Sequence, residues 1–153
     1  MDGFVDAIAA AAAVRNREVS PVELVDDAIE RIERVNPELN AVIAPLFDQA
    51  RAEAAGALPD GPFRGVPFLF KDLVSVRAGD PYHQGNMRLK ELGHRATETT
   101  AYARRIVEAG FVTVGRTNTP EFGSLPTTEP VAYGPTRNPW NPEHSPGGSS
   151  GGS

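Results

Sequence analysis

The sequence predicts an α/β fold in which helices cover a buried β-sheet. Residues 66–70 and 111–114 are continuous apolar runs, the pattern expected of strands that are covered on both faces. Residues 97–109, between them, predict an amphipathic helix that ends before Gly110. The inner side of this helix should carry Tyr102, Ile106 and Val107. Because a strand, a crossover helix and a strand form a right-handed βαβ unit, the two strands should be parallel neighbours.

The N-terminal third predicts three helices and one short strand. Residues 4–14 are rich in alanine, which has the highest helix propensity. Residues 20–23, Ser-Pro-Val-Glu, form a capping box with proline at the first helical position and predict the start of a second helix. Pro37 should end this helix, since the residue before a proline disfavours helical backbone. Residues 40–43 indicate a short strand, and residues 46–56 predict a third helix.

The composition is that of one globular domain without internal repeats. Of the 153 residues, 40% are hydrophobic and 23% are charged, which is enough apolar material for an ordinary core. Residues 77–96 are polar and irregular, and nine of the twenty residues in 134–153 are glycine or proline. Both segments are therefore predicted to be loops, and no domain boundary precedes the second one.

Charge and residue content argue against several classes of function. The net charge of −5 is unfavourable for nucleic-acid binding, which needs a basic face. The sequence has no cysteine, which excludes disulfides and thiolate sites and is consistent with the cytoplasm. The apolar run at residues 7–14 is too short to span a membrane, and acidic rather than basic residues precede it, unlike in a signal peptide. The three histidines, His83, His94 and His144, do not have the spacing of a metal site. We expect them at surface or loop positions.

The glycine-serine run at residues 147–153 is one of two motifs that could carry chemistry. Taken alone, it is equally typical of a flexible linker. A phosphate-binding P-loop fits less well, because the Gly-Lys-Ser/Thr ending is missing. The preceding segment, residues 134–142, is Gly-Pro-Thr-Arg-Asn-Pro-Trp-Asn-Pro, which a linker has no reason to carry. The whole stretch therefore favours a specific loop that presents serine hydroxyls beside unprotected backbone amides.

Lys71 is the second candidate, because it directly follows an apolar strand. Most lysines are solvated surface charges, and that is the default interpretation here. A lysine at the end of a buried strand must either extend its amine to solvent or lose part of its charge, which would lower its pKa. A neutral amine can act as a general base, so Lys71 is a candidate catalytic residue.

These segments resemble the amidase signature family, and the resemblance extends over about residues 5–153. Its specific parts are the lysine strand, residues 65–73, and the glycine-serine loop, residues 147–153. Residues 114–123 are similar to the family's strand and turn, and we expect only a scaffold role for them. The resemblance implies that residues 1–153 are the N-terminal part of a single amidase domain, truncated at its C-terminal end, with a mixed sheet covered by helices.

The resemblance also implies an amide hydrolase with a Ser–Ser–Lys triad. The family's base falls on Lys71, and its bridging serine, often preceded by a cis peptide bond, falls on Ser149. Gly147, Gly148 and Ser150 are expected to support the loop and the substrate. The nucleophilic serine should lie beyond residue 153, so the chain alone is expected to be inactive. We also expect a small-molecule carboxamide substrate, no cofactor or metal, a cytoplasmic location and a homodimer of the full-length protein.

Two departures from the family pattern bear on the substrate. Many members have Lys-Asp-Asn where this chain has Lys71-Asp72-Leu73. In addition, residues 80–85 differ from the commoner Gly-Met-Pro-Thr-Thr pattern of the family. These differences favour a stand-alone amidase over the glutamyl-tRNA transamidase branch. Asp72 is expected either to orient Lys71 or to serve as an ordinary cap or solvated group. The alternative for the whole chain is a truncated, non-catalytic segment with at most a binding role, and the reading frame after Ser153 would separate the two.

Overall fold

A computed structural model describes residues 4–153 and has the predicted α/β architecture. Three strands form one mixed sheet, in which Val112–Thr117 lies between Val42–Pro45 and Pro67–Lys71, and helices pack against it. No helix within residues 4–153 is long and apolar enough to cross a membrane. In chain order the elements are α1 (Ala7–Arg15), α2 (Pro21–Leu39), β1 (Val42–Pro45), α3 (Phe47–Ala55), β2 (Pro67–Lys71), α4 (Met87–Glu91), α5 (Ala101–Glu108) and β3 (Val112–Thr117), followed by a 3₁₀ turn at Glu121–Gly123.

The central strand of the sheet is β3, which pairs in parallel with β2 and antiparallel with β1. The prediction of two parallel neighbours joined by a helical crossover is therefore confirmed. The inner face of α5 differs from the expected one, because Ala103 is buried while Tyr102 is 54% exposed. The helix is also shorter than predicted, and Thr100 caps its N-terminus by accepting a hydrogen bond from the Ala103 amide.

The capping box at Ser20 is confirmed, whereas the predicted end of α2 at Pro37 is wrong. Ser20 Oγ accepts from the Glu23 amide, and Glu23 Oε2 accepts from the Ser20 amide. The helix continues to Leu39, because a proline in the last turn removes only one backbone hydrogen bond. Asn40 then adopts a left-handed conformation, with φ 50°, and ends the helix. The strand predicted at 40–43 accordingly runs from Val42 to Pro45.

Two further expectations are corrected by the structure. The strand β2 is only partly covered, since Phe70 is its only buried residue and β2 lies at the edge of the sheet formed by residues 4–153. The segment 77–96, expected to be irregular, contains α4, because the Asn86 side chain accepts from the Leu89 amide and caps a short helix.

The core is divided between two apolar clusters, and α2 contributes residues to both. One cluster joins α2 and α3 to the sheet and fixes β3: Val25, Ile29, Ala50, Ala54, Val112 and Val114. The other places α1 against the start of β2: Ala10, Ala11, Ala13, Val19, Leu24 and Val66. Neither cluster includes Lys71 or Thr117, the last residues of β2 and β3, and the polar residues described below meet at these strand ends.

Candidate active site

The candidate site lies where the two parallel strands end. Lys71 and Thr117 are the last residues of β2 and β3, and they are partners in the parallel register. The Asp72 amide continues the ladder by donating to the Thr117 carbonyl at 3.0 Å. Because parallel strands end at the same edge of a sheet, the chain beyond each strand enters the same region, as in other open α/β sheets.

The structure brings Lys71 into contact with Ser149, 78 residues further along the chain. Lys71 Nζ donates a hydrogen bond to Ser149 Oγ at 2.7 Å. Both residues are half-buried, and burial lowers the pKa of the Lys71 amine from its ordinary value. The peptide bond between Gly148 and Ser149 is cis. An amine that loses its proton more easily than a solvated lysine, next to a hydroxyl, can take part in proton transfer.

A buried ion pair contacts the backbone of Lys71. Arg116 is fully buried, and its Nε donates to Asp72 Oδ1 at 3.2 Å. The guanidinium Nη2 also donates to the Lys71 carbonyl at 2.9 Å and to the Ser75 carbonyl at 3.0 Å. Burial raises the pKa of the Asp72 carboxyl, and the Arg116 guanidinium opposes this rise. One positive group therefore fixes the backbone on both sides of the strand end.

This ion pair was missed by the sequence reasoning. Asp72 was expected to orient Lys71 or to serve as a cap or solvated group, and Arg116 was assigned only to the scaffold. Asp72 is 1% exposed, and its side chain also accepts from the His83 amide at 3.2 Å. The available signal was Arg116, the one charged residue in the otherwise uncharged run Val-Thr-Val-Gly-Arg-Thr, since a buried arginine requires a partner.

The glycine-serine loop packs against the ends of β1 and β3 through close contacts and neutral hydrogen bonds. Thr119 Oγ1 donates to the Ser149 carbonyl at 3.3 Å, and Thr128 Oγ1 donates to the Gly147 carbonyl at 2.9 Å. Gly152 is buried, and a Cβ atom there would lie 2.4 Å from the backbone nitrogen of Asn118. Gly147 has φ 90°, a conformation that favours glycine.

The remaining residues considered in the sequence analysis differ in how near they lie to Ser149 and in how exposed they are. Gly147 and Gly148 directly precede Ser149, whereas Ser150 is exposed and its carbonyl accepts from the Ser153 amide. His83, expected at a surface or loop position, is half-buried in a loop, and its Nδ1 contacts the Tyr133 hydroxyl. Burial lowers the pKa of His83 and raises the pKa of Tyr133 to about 12. Within residues 4–153, no group of three His, Cys, Asp or Glu is arranged to bind a metal ion.

Proteins of similar sequence are named as hydrolases and amidases. The chain is 50% identical over all 153 residues to the 6-aminohexanoate-cyclic-dimer hydrolase of Paenarthrobacter ureafaciens, of which it covers 31%. It is 40% identical over 152 residues to the putative amidase AmiC of Mycobacterium tuberculosis, covering 99% of this chain and 32% of that protein.

Solved structures agree with these sequence matches. A 6-aminohexanoate cyclic dimer hydrolase complexed with substrate superimposes with a TM-score of 0.94 and 50% identity, over 100% of this chain and 31% of that one. A bacterial aryl acylamidase of the amidase signature enzymes superimposes with a TM-score of 0.86 and 34% identity, over 96% of this chain and 32% of that one.

The extent of these matches defines what the chain shares with its relatives. It spans about a third of the length of the relatives named above. The family model described as Amidase matches residues 23–153, which include both Lys71 and the glycine-serine loop. The chain therefore belongs to the amidase family, that of the amidase signature enzymes.

Proposed function

We propose that this chain supplies the general base and the bridging serine of an amide hydrolase, with Lys71 and Ser149 in these two roles. The observation that carries the proposal is the 2.7 Å contact between Lys71 Nζ and Ser149 Oγ. The lowered pKa of Lys71 supports it, because only a neutral amine can accept a proton. Family membership supports it as well, since the matched region includes both residues.

The proposed reaction begins with proton transfer along this contact. Neutral Lys71 takes the proton of Ser149 Oγ, and Ser149 takes the proton of a nucleophilic serine that we place outside these 153 residues. The nucleophile's oxygen bonds to the amide carbonyl carbon, and the carbon–nitrogen bond then breaks as the protonated lysine returns a proton, through Ser149, to the leaving amine. Water hydrolyses the resulting ester by the same relay in reverse.

The loop around Ser149 has a supporting role in this proposal. Gly147, Gly148 and Ser150 shape the loop and border the space in which a substrate would meet the nucleophile. Backbone amides next to the nucleophile would bind the oxyanion that forms during attack. The residues that donate those amides are outside the chain described here.

The substrate we propose is a small carboxamide, hydrolysed by a stand-alone amidase rather than by a glutamyl-tRNA transamidase. The first compound to test is the 6-aminohexanoate cyclic dimer, because a hydrolase named for it is 50% identical over the whole of this chain. A cytoplasmic location, a homodimer of the full-length protein and the absence of nucleic-acid binding belong to the same proposal.

The test is turnover by the full-length protein and its variants. We expect Lys71→Ala and Ser149→Ala each to lower kcat by at least about a thousandfold, because both remove a member of one proton path. Lys71→Arg should be equally inactive, since a guanidinium stays charged and cannot accept the proton. The matched control is Lys90→Ala, because Lys90 is the other lysine of the chain and contacts the Ala132 carbonyl and the Tyr133 ring instead of Ser149.

The outcomes separate this proposal from a non-catalytic role. Turnover that survives both Lys71→Ala and Ser149→Ala would contradict the assigned roles. A folded full-length protein that hydrolyses neither the cyclic dimer nor a panel of simple carboxamides and activated esters would favour the alternative, a segment with at most a binding role.

A further inference from the structure

We propose that Thr128 is a positioning residue that sets the place of Ser149 by fastening both ends of the short loop around it; this rests on the function proposed above for Ser149. Thr128 lies between β3 and the glycine-serine loop, outside the motifs that indicated the site. It does not contact the reacting atoms, and its effect on the reaction would pass through the loop.

The geometry of the Thr128 hydroxyl carries this inference. Its Oγ1 donates to the Gly147 carbonyl at 2.9 Å and accepts from the Gly151 amide at 3.2 Å. One hydroxyl can do both, because it has one proton to donate and two lone pairs to accept. Ser149 lies midway between the two anchored residues, so a single side chain closes the loop that presents it.

The fit around this hydroxyl is close. A Cβ atom at Gly151 would lie 2.3 Å from Thr128 Oγ1 and 2.6 Å from the Gly147 carbonyl oxygen, closer than any real side chain would allow. Gly151 is therefore needed for the loop to approach Thr128. The close approach and the two hydrogen bonds together leave the loop little freedom to shift relative to the threonine.

The threonine is itself rigidly placed. Thr128 is fully buried, and its carbonyl accepts from the Thr136 amide at 2.9 Å. Thr136 Oγ1 in turn donates to the Asn40 carbonyl at 2.8 Å and accepts from Asn118 Nδ2 at 2.9 Å. Because Asn118 directly follows β3, the loop is connected to the sheet through this network.

Such positioning should matter for turnover more than for substrate binding. A proton passes efficiently only when Ser149 Oγ stays within hydrogen-bond distance of Lys71 Nζ, and displacements of about 0.5–1 Å reduce rates severely. Ser149 relays a proton and does not form the bond to substrate, so a looser loop should lower kcat and leave KM nearly unchanged.

The test compares Thr128→Val with Thr128→Ser in the full-length protein, with p-nitrophenyl butyrate and a simple aliphatic carboxamide as probes. Valine has the shape of threonine without the hydroxyl, and serine keeps the hydroxyl. We expect Thr128→Val to lower kcat at least about tenfold with KM within about threefold, and Thr128→Ser to stay within about threefold of the parent in kcat. Thr97→Val, at an exposed threonine, is the matched control and should leave both constants unchanged.

A second readout addresses the hydrogen bond itself. Amide hydrogen exchange at Gly151 should be faster in Thr128→Val than in the parent, and unchanged in Thr128→Ser, because the amide loses its acceptor only in the first variant. If Thr128→Val does not fold, Thr128→Ala provides the same comparison with a smaller side chain. Thermal unfolding of each variant identifies any loss that arises from global destabilisation.

The results distinguish failure of this inference from failure of the proposed function. A parent-like kcat in Thr128→Val would overturn the inference, and so would an equal loss of kcat in Thr128→Val and Thr128→Ser. If Lys71→Ala and Ser149→Ala abolish turnover while Thr128→Val does not, only the role of Thr128 is wrong. If Lys71→Ala and Ser149→Ala stay active, the proposed function fails, and the role of Thr128 fails with it.

Discussion

The two halves of the candidate site are stabilised by different chemistry. The lysine side, consisting of Lys71, Asp72 and Arg116, belongs to the sheet and contains a fully buried ion pair. The serine side, consisting of the loop at residues 147–152 with Thr119 and Thr128, is fixed by neutral hydrogen bonds and by glycines in close contact with backbone. Loss of the Asp72–Arg116 ion pair should therefore reduce folding stability, while changes on the serine side should mainly reduce turnover.

The largest expected effect on stability is on the lysine side. Arg116→Met would leave Asp72 buried without its partner, which should lower the free energy of unfolding by about 3–5 kcal/mol. Arg51→Met, which removes an exposed pair with Asp26, is the control and should change the free energy of unfolding far less, because solvent screens an exposed pair. Denaturant unfolding of the full-length variants measures both.

A double substitution sharpens this prediction. Because the cost arises from an uncompensated buried charge, Arg116→Met combined with Asp72→Leu should be more stable than Arg116→Met alone. A double variant less stable than the single one would mean that the hydrogen bonds from Arg116 to the Lys71 and Ser75 carbonyls contribute more than the charge pair.

An intermediate effect is expected on the serine side from Gly152→Ala. The new Cβ would lie 2.4 Å from the Asn118 nitrogen and 2.7 Å from the Ala41 carbonyl oxygen, so the loop must move away from the sheet. We expect kcat to fall by about tenfold or more, with a stability cost of about 1–3 kcal/mol. Gly56→Ala is the control, since its Cβ would lie 3.4 Å from the nearest atom. Unchanged kcat in Gly152→Ala would show that Ser149 tolerates displacement of the loop.

The pH dependence of turnover connects the two sides. Burial lowers the pKa of Lys71, and only its neutral form accepts a proton, so activity should be lost as the pH falls through this lowered pKa. The rising limb of kcat/KM should accordingly lie below about 10.4, the value of a solvated lysine. A limb at or above that value, in measurements between about pH 6 and 11, would contradict desolvation of the amine.

The smallest effect is expected for Thr119→Val. Its hydroxyl donates to the Ser149 carbonyl at 3.3 Å, which is long for a hydrogen bond between oxygens. Its loss should cost about 0.5–1.5 kcal/mol of stability and lower kcat by less than in Thr128→Val. Should Thr119→Val prove the more damaging of the two in steady-state assays, the order of importance assigned to these threonines would be reversed.

Sequence patterns predicted the βαβ unit well because its signals are local. Two apolar runs and an amphipathic segment specify strands and a helix without knowledge of the rest of the chain. Pro37 misled the prediction because a proline disfavours helical backbone in the turn before it without forbidding it, and α2 ends instead where Asn40 adopts a left-handed conformation. The short helix at Met87–Glu91 was missed because its signal is a single asparagine cap in a polar segment.

The candidate site could be predicted only in part, and the prediction did not come from local sequence patterns. The pairing of Lys71 with Ser149 came from the family resemblance, since no local pattern joins residues 78 apart. The partners Asp72 and Arg116 are also distant in sequence, at 44 residues, and depend on the register of β2 against β3. A sequence alone does not give that register, so the ion pair and the hydrogen bonds of Thr128 with the glycine-serine loop could be recognised only in three dimensions.

The most direct test of the central claim is a double-mutant cycle on kcat with Lys71→Ala, Ser149→Ala and the combined variant of the full-length protein. If both residues serve one proton path, the double variant should be no slower than the slower single variant, because the path is already broken. If the two losses multiply instead, Lys71 and Ser149 act independently, and the relay proposed from their 2.7 Å contact is wrong.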